Sequence, residues 1–175
     1  LNIGQTYFAM GDIARAEQAC IESISFAKSA GDKNVELYAY SNLADLYIQK
    51  NQPQKAYDYA IKAAMLGKEI GDQGIQAASL SKAARSLTDM KKFTEAEIVA
   101  NQAISVADSS GQPLPIYQAY SARGVLLKRM EKYKQAIPYF KKSITALQNS
   151  DIYNEDVGLT NYDLSLCYEK TGDYN

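Results

Sequence analysis

The sequence has no histidine, no tryptophan and only two cysteines among its 175 residues. Without histidine, the commonest general base and the commonest metal ligand are both missing. Glycine-rich phosphate loops, nucleophile elbows and clustered acidic ligands are not found either. We therefore predict that this segment is not an enzyme, has no catalytic residues, and binds neither a cofactor nor a metal.

Neither sign of charge is in excess, because 19 Lys and Arg residues face 20 Asp and Glu residues, a net charge of -1. A general nucleic-acid-binding protein usually shows a basic excess or stripe, so we expect no nucleic-acid partner. The sequence also has no run of 18 apolar residues, and we expect no membrane contact within this segment. These features leave the compartment open, either the cytoplasm or the periplasmic part of a sensor.

Cys20 and Cys167 lie near opposite ends of the array described below and in no metal-binding spacing. We interpret them as small buried residues that do not pair with each other.

What the sequence does have is a repeat with an interval of 40 residues. Four columns of similar residues recur in one register: Ala16, Ala56, Ala96 and Ala136; Tyr7, Tyr47, Leu87 and Leu127; Gly4, Ala44, Ala84 and Gly124; and Gly31, Gly71 and Gly111. A period between 20 and 50 residues is typical of a solenoid, in which each unit buries its apolar face against the next.

Each unit is predicted to contain two helices. In the second unit, the apolar spacing predicts a helix from Asn34 to about Lys50. Pro53 then starts a second helix, which continues to about Ile70, and Gly71 supplies a left-handed cap. The small columns are expected where the two helices approach each other closely.

The second unit carries a recognisable signature, formed by Tyr40, Leu43, Ala44, Tyr47 and Ala56. It resembles the aromatic, Leu, small, Tyr and Ala pattern of the tetratricopeptide repeat. The fourth unit departs from this pattern with Arg123 in the Leu column. A fifth unit begins one residue out of register, with Asn161, Leu164, Ser165 and Tyr168 in the signature positions.

The resemblance implies an all-α fold, a right-handed superhelical solenoid of nine helices in antiparallel pairs. The family's usual period is 34 residues, and the longer interval resembles the subclass found in kinesin light chains and bacterial signalling regulators. We divide the chain into one array with units at about 1–33, 34–73, 74–113, 114–152 and 153–175. The first and last units are partial and the first residue is not Met, so we expect a segment of a longer protein.

In this family the first helix of each unit lines a concave groove, and partners usually bind there. Carried over to this sequence, the outward positions are Tyr38, Ser41, Asp45, Gln49, Ser81, Arg85, Asp89, Gln118, Ser121, Lys128, Arg129 and Tyr162. Each of them alone could equally be an ordinary solvent-exposed helix position. Arg85, Lys128 and Arg129 are the sharpest candidates, since they would place positive charge in one wall of the groove and could bind a carboxylate.

Chaperone-binding members of the family hold a peptide's terminal carboxylate with Lys and Asn on successive first helices. The corresponding positions here are Ser41, Asp45, Ser81 and Arg85. Only Arg85 fits that requirement, so we predict that this clamp is absent.

Charge is distributed unevenly toward the end of the chain. From 114 to 150, seven Lys and Arg residues face only Glu131, whereas from 151 onward six acids face only Lys170. This distribution has two explanations, attraction between stacked units or a basic patch for an acidic partner. If the basic patch binds a partner, replacing Lys128 and Arg129 with Glu should abolish ligand binding and preserve the fold. We interpret the acidic group at Glu155, Asp156 and Asp163 as a solvated helix face.

The function implied is a protein- or peptide-binding scaffold, serving as the sensory or regulatory segment of a larger bacterial signalling protein. One alternative is a structural spacer or oligomerisation module, with self-association through its open repeat ends. Another is an accessory segment of a protein whose catalytic domain, such as a histidine kinase, lies outside this window.

Overall fold

The computed structural model describes residues 6–7, 10–148, 150 and 156–173, and every regular element in these ranges is an α-helix. The eight helices are α1 Ile13–Ala30, α2 Lys33–Gln49, α3 Pro53–Ile70, α4 Gln73–Asp89, α5 Phe93–Ser110, α6 Pro113–Arg129, α7 Tyr133–Leu147 and α8 Asp156–Thr171. The predicted all-α, right-handed superhelical solenoid of antiparallel helix pairs is confirmed. The ninth predicted helix, at the start of the chain, falls largely outside the described residues.

The turn inside each helix pair has the same geometry every time. Asn51, Lys91 and Glu131 all adopt a left-handed backbone, with φ of 52°, 59° and 59°. The next residue's N–H donates to the carbonyl five residues earlier, as in the bonds from Gln52 to Tyr47, Lys92 to Leu87 and Lys132 to Leu127, each 2.9 Å long. These bonds satisfy carbonyls that the helix end leaves open and reverse the chain.

The same bond fixes the register of the fifth unit. The N–H of Asp173 donates to the carbonyl oxygen of Tyr168 at 3.2 Å. Tyr168 therefore takes the place of Tyr47 and Leu127, one residue later than a strict 40-residue interval requires. The predicted one-residue shift is confirmed at this turn.

At the first two junctions between helix pairs, a glycine ends one helix and the aspartate after it caps the next. Gly71 has φ of 79°, in the left-handed region that favours glycine. Asp72 caps α4, because its side chain accepts a hydrogen bond from the N–H of Ile75 at 2.9 Å. Pro53 occupies the first turn of α3 as predicted. The helices α2, α4 and α6 begin 40 residues apart, at 33, 73 and 113, whereas the division into units at the stated boundaries stays a prediction.

We expect Glu131→Gly to raise the free energy of unfolding by about 0.5–1 kcal/mol. A left-handed backbone costs a residue with a Cβ about 1–2 kcal/mol, and the greater freedom of glycine in the unfolded chain offsets part of this gain. Urea unfolding monitored by circular dichroism measures the change. The matched control, Glu131→Ala, keeps the Cβ and should show no gain; equal stability of the two variants would contradict the prediction.

The buried side chains form several small hydrophobic clusters along the array rather than one large core. The four alanines of the 40-residue column, Ala16, Ala56, Ala96 and Ala136, are all buried. In the fourth unit, Gly124 on α6 faces Phe140 on α7 so closely that a Cβ on Gly124 would lie 2.6 Å from Phe140 Cε1. The predicted close approach of paired helices at the small column is therefore confirmed here.

Both cysteines are buried and free, as interpreted from the sequence. Burial raises the pKa of the Cys20 thiol to about 11, and it also raises the pKa of the Cys167 thiol. Because the thiolate is the reactive form, neither side chain is activated at neutral pH. None of the described helices is long and apolar enough to cross a bilayer.

Candidate partner-binding groove

Two adjoining cavities lie between the first helices of successive units. Among the described residues, those that line the first cavity, of about 410 Å³, belong to α2, α4, α6 and α8. The second, of about 590 Å³, extends toward the turns at Asn51 and Lys91. They share Arg85, Val125, Leu159 and Asp163. The side chains that line both cavities therefore form one continuous surface, which we call the groove.

Most of the positions carried over from the family line this groove. The first cavity includes Asp45, Gln49, Ser81, Arg85, Gln118 and Ser121. The second adds Asp89, Lys128 and Arg129. Tyr38, Ser41 and Tyr162 do not line either cavity. Tyr38 is 46% exposed and Tyr162 is 65% exposed, and a role in partner binding stays a prediction for all twelve.

The expectation that Ser41 faces outward is wrong, because Ser41 is buried and lines neither cavity; Ser81 is also buried but borders the first cavity. Lys82 reaches from α4 to α2 and donates to the Ser41 hydroxyl at 2.9 Å. The Ser81 hydroxyl donates to the carbonyl oxygen of Ala77 on its own helix at 2.8 Å. The two hydroxyls are thus satisfied inside the chain, and Ser41 is covered by the lysine of the next unit.

Ion pairs connect each groove helix to its neighbour. Lys82 on α4 binds Asp45 on α2 at 2.7 Å, and Arg129 on α6 lies 3.8 Å from Asp89 on α4. A third pair joins Lys128 on α6 to Asp163 on α8. The attraction between stacked units that the charge distribution suggested is confirmed at this third pair.

The interpretation of Asp163 as a solvated acid is wrong, because the residue is only 4% exposed. It lies on the side of α8 that faces α6, where Lys128 neutralises its charge. Glu155 and the side chain of Asp156 fall outside the described residues. The acidic group is thus divided, and its one described side chain is part of the packing between units.

Of the three candidate cations, Lys128 and Arg129 line the second cavity, but each also has an acid partner within the chain. The pair of Lys128 is buried, whereas that of Arg129 is solvent-exposed, and a role in binding a carboxylate stays a prediction for both. Arg85 alone among the three has no hydrogen bond, ion pair or ring contact within the described residues. It is half-buried on α4 and contributes to both cavities.

Part of the basic segment is paired with acids in the same way. Arg123, the departure from the Leu column, is buried and bound to Glu97, and this guanidinium holds the pKa of Glu97 below its ordinary value. Lys142 lies 3.9 Å from Asp108. Four of the seven cations thus have acid partners within the chain, whereas Lys132, Lys134 and Lys141 are exposed, and a basic patch for an acidic partner stays a prediction.

The wall formed by α6 and α8 was predicted only in part, through Gln118, Ser121, Lys128 and Arg129. The Tyr117 hydroxyl lies 2.7 Å from Thr160 Oγ1, and Ser121 Oγ lies 3.3 Å from the same atom. Leu159, 54% exposed, adds an apolar side chain to both cavities. The sequence analysis did not predict five of the groove residues, namely Lys82, Tyr117, Leu159, Thr160 and Asp163. Only Asp163 had a sequence signal, because the segments on either side of residue 150 carry opposite charges.

Two segments, residues 1–64 and 117–146, match the sequence models of the tetratricopeptide repeat family. The chain is a tetratricopeptide repeat protein. Proteins of this family are helical repeat scaffolds that bind other proteins and are generally not catalytic. No curated protein matches the sequence.

Solved structures of the same fold cover 98% of this tetratricopeptide repeat chain. BtubC (BKLC) from P. vanneervenii is 21% identical with a TM-score of 0.76, over 71% of its own chain. A Rap protein complexed with Competence and Sporulation Factor is 19% identical with a TM-score of 0.82, over 48% of its chain. The apo form of RapI is 16% identical with a TM-score of 0.80, over 62% of its chain. At these identities the likeness shows the fold alone, and this chain spans about half to two thirds of the two Rap chains.

Proposed function

We propose that this tetratricopeptide repeat segment binds a partner protein through an extended peptide held in the groove, as the sensory or regulatory part of a larger signalling protein. The observation that carries the proposal is the pair of joined cavities between α2, α4, α6 and α8, of about 410 and 590 Å³. Volumes of this size are typical of ligand sites in proteins. Their lining combines apolar side chains with amides and an unpaired cation, which suits a peptide chain.

The lining chemistry supports a peptide more than a small apolar molecule. Gln49 and Gln118 place amide groups in the first cavity, where they can donate to and accept from a peptide backbone. Ile48, Val125 and Leu159 supply apolar contacts beside them. The regulatory part of the proposal is supported by the likeness in fold to the Rap protein complexed with Competence and Sporulation Factor.

A second candidate is self-association through the end of the array. Leu159 and Tyr162 on α8 are large apolar or aromatic side chains exposed by 54% and 65%. Concentration-dependent mass in light scattering would favour this function over the peptide-binding one. The accessory-segment alternative concerns sequence outside this chain and stays a prediction.

Filling the groove should abolish peptide binding. Peptides selected from a displayed random library on the wild-type chain are expected to bind Gln118→Trp at least about tenfold more weakly, because the indole occupies the first cavity. Gln102→Trp is the matched control, since Gln102 is exposed on α5 and outside the groove. Affinities measured by fluorescence anisotropy test this; equal loss in both variants, or in neither, would refute the groove as the binding site.

A further inference from the structure

The groove carries a surplus of positive charge, although the whole chain has a net charge of -1. Eight charged side chains line it, namely Asp45, Lys82, Arg85, Asp89, Lys91, Lys128, Arg129 and Asp163. Each of the three acids is paired with one base. The two bases without an acid partner are Arg85 and Lys91. An anionic ligand would complement this surplus of positive charge.

Arg85 and Lys91 differ in how they are held. Lys91 is exposed in the turn after α4 and lines only the second cavity. Arg85 lies within α4, half-buried, where the two cavities meet. A half-buried guanidinium without a partner has lost part of its hydration and has gained no protein hydrogen bond in exchange. A ligand carboxylate can supply that bond in bidentate form, and a rigid helix position makes the contact directional.

We infer that the groove selects an acidic peptide segment, and that one side-chain carboxylate of this peptide binds the guanidinium of Arg85. The inference rests on the proposed function, because it names the chemistry of the ligand in the same groove. It differs from a clamp on a terminal carboxylate, which needs a second base on the preceding first helix. Asp45 on that helix is already bound to Lys82.

The neighbours of Arg85 define the rest of the ligand. Val125 and Leu159 also line both cavities, so an apolar side chain next to the acidic residue would contact them. A polynucleotide fits less well, since binding it requires many phosphate contacts and the described groove has only two unpaired cations. The ligand we infer is therefore an extended peptide with Asp or Glu beside an apolar residue.

The test begins with selection of a displayed random peptide library on the wild-type chain. We expect Asp or Glu next to an apolar residue to be enriched. One selected peptide and its Asn or Gln counterpart are then titrated against wild type, Arg85→Gln and Arg85→Lys. The acidic peptide should bind Arg85→Gln about ten- to a hundredfold more weakly, with a smaller loss for Arg85→Lys, whereas the amide peptide should bind all three equally.

Arg15→Gln is the control, since Arg15 is an exposed arginine on α1 outside the groove, and it should leave both peptides unaffected. Thermal unfolding should show that Arg85→Gln keeps the fold, because Arg85 has no partner to lose. Selection of neutral or basic peptides that still depend on Gln118 would overturn the acidic inference and leave the proposed function standing. Failure to select any groove-dependent peptide would overturn both the acidic-peptide inference and the proposed function. If the chain instead bound single-stranded oligothymidylate in preference to peptides, and this binding depended on Arg85, the choice of a peptide as the ligand would be overturned.

Discussion

Lys128→Glu should lower the free energy of unfolding by about 3–5 kcal/mol, the usual cost of removing one partner of a buried ion pair. The side chains of Lys128 and Asp163 are only 20% and 6% exposed. The substitution leaves the carboxylate of Asp163 buried without its counter-charge and brings a second carboxylate next to it. Urea denaturation should show a clearly lower midpoint, with α8 unfolding first, since α8 is joined to the array mainly through α6 and α7.

Two further variants show whether charge is responsible. Replacing both partners, as Lys128→Met with Asp163→Leu, should recover most of the stability, because a buried pair exchanged for apolar residues of similar size is often neutral. Arg129→Glu should cost under about 1 kcal/mol, since its 3.8 Å pair with Asp89 is solvent-exposed. A Lys128→Glu variant as stable as Arg129→Glu would contradict this account.

This result also changes how the basic segment can be tested. Under the basic-patch explanation alone, the joint replacement of Lys128 and Arg129 by Glu is expected to remove a ligand and preserve the fold. The structure predicts that the Lys128 substitution destabilises the chain, so loss of binding in that double variant would not identify a binding site. Arg85→Gln avoids the problem, because no described side chain depends on Arg85.

The helices and turns could be predicted because their signals are local. Gly71 at a left-handed position and Pro53 at a helix start each act through the backbone of one or two residues. Because these helical signals recur every 40 residues, they predict a helical solenoid, in which each unit repeats the same packing against the next. Even the shifted fifth unit could be read correctly, because Gly172 again supplies a left-handed backbone one residue later than the interval predicts.

The groove could be predicted only in part because its electrostatics depend on side-chain reach between units. The register placed Arg85 and Gln118 correctly in the first cavity. The 40-residue register did not show that Lys82 would reach across to Asp45 and cover Ser41. It also did not show that Lys128 would pair with Asp163. Which acid a long side chain reaches depends on the separation of the helices and on the superhelical curvature. Arg85 is the groove cation within a helix that has no partner among the described residues, and this becomes visible only once the other pairs are assigned.

Gly124 and Phe140 should be strongly coupled, with the effect of one substitution changing sign according to the other. Phe140→Ala alone should destabilise the chain by about 3–5 kcal/mol, because it empties a fully buried aromatic site. Gly124→Ala alone should cost about 1–3 kcal/mol, since the new methyl group would lie 2.6 Å from a Phe140 ring that is itself buried and cannot move aside.

In the Phe140→Ala background, Gly124→Ala should instead stabilise the chain by about 1 kcal/mol, since the clash is gone and alanine is the better helix former. The resulting Ala–Ala pair reproduces the combination at the equivalent positions of the second unit, where Ala44 and Ala60 belong to one buried cluster. Urea unfolding of the four variants gives the coupling free energy. Simple additivity would mean that the two helices relax around the methyl group, and that the small column of this repeat tolerates larger residues than its close approach implies.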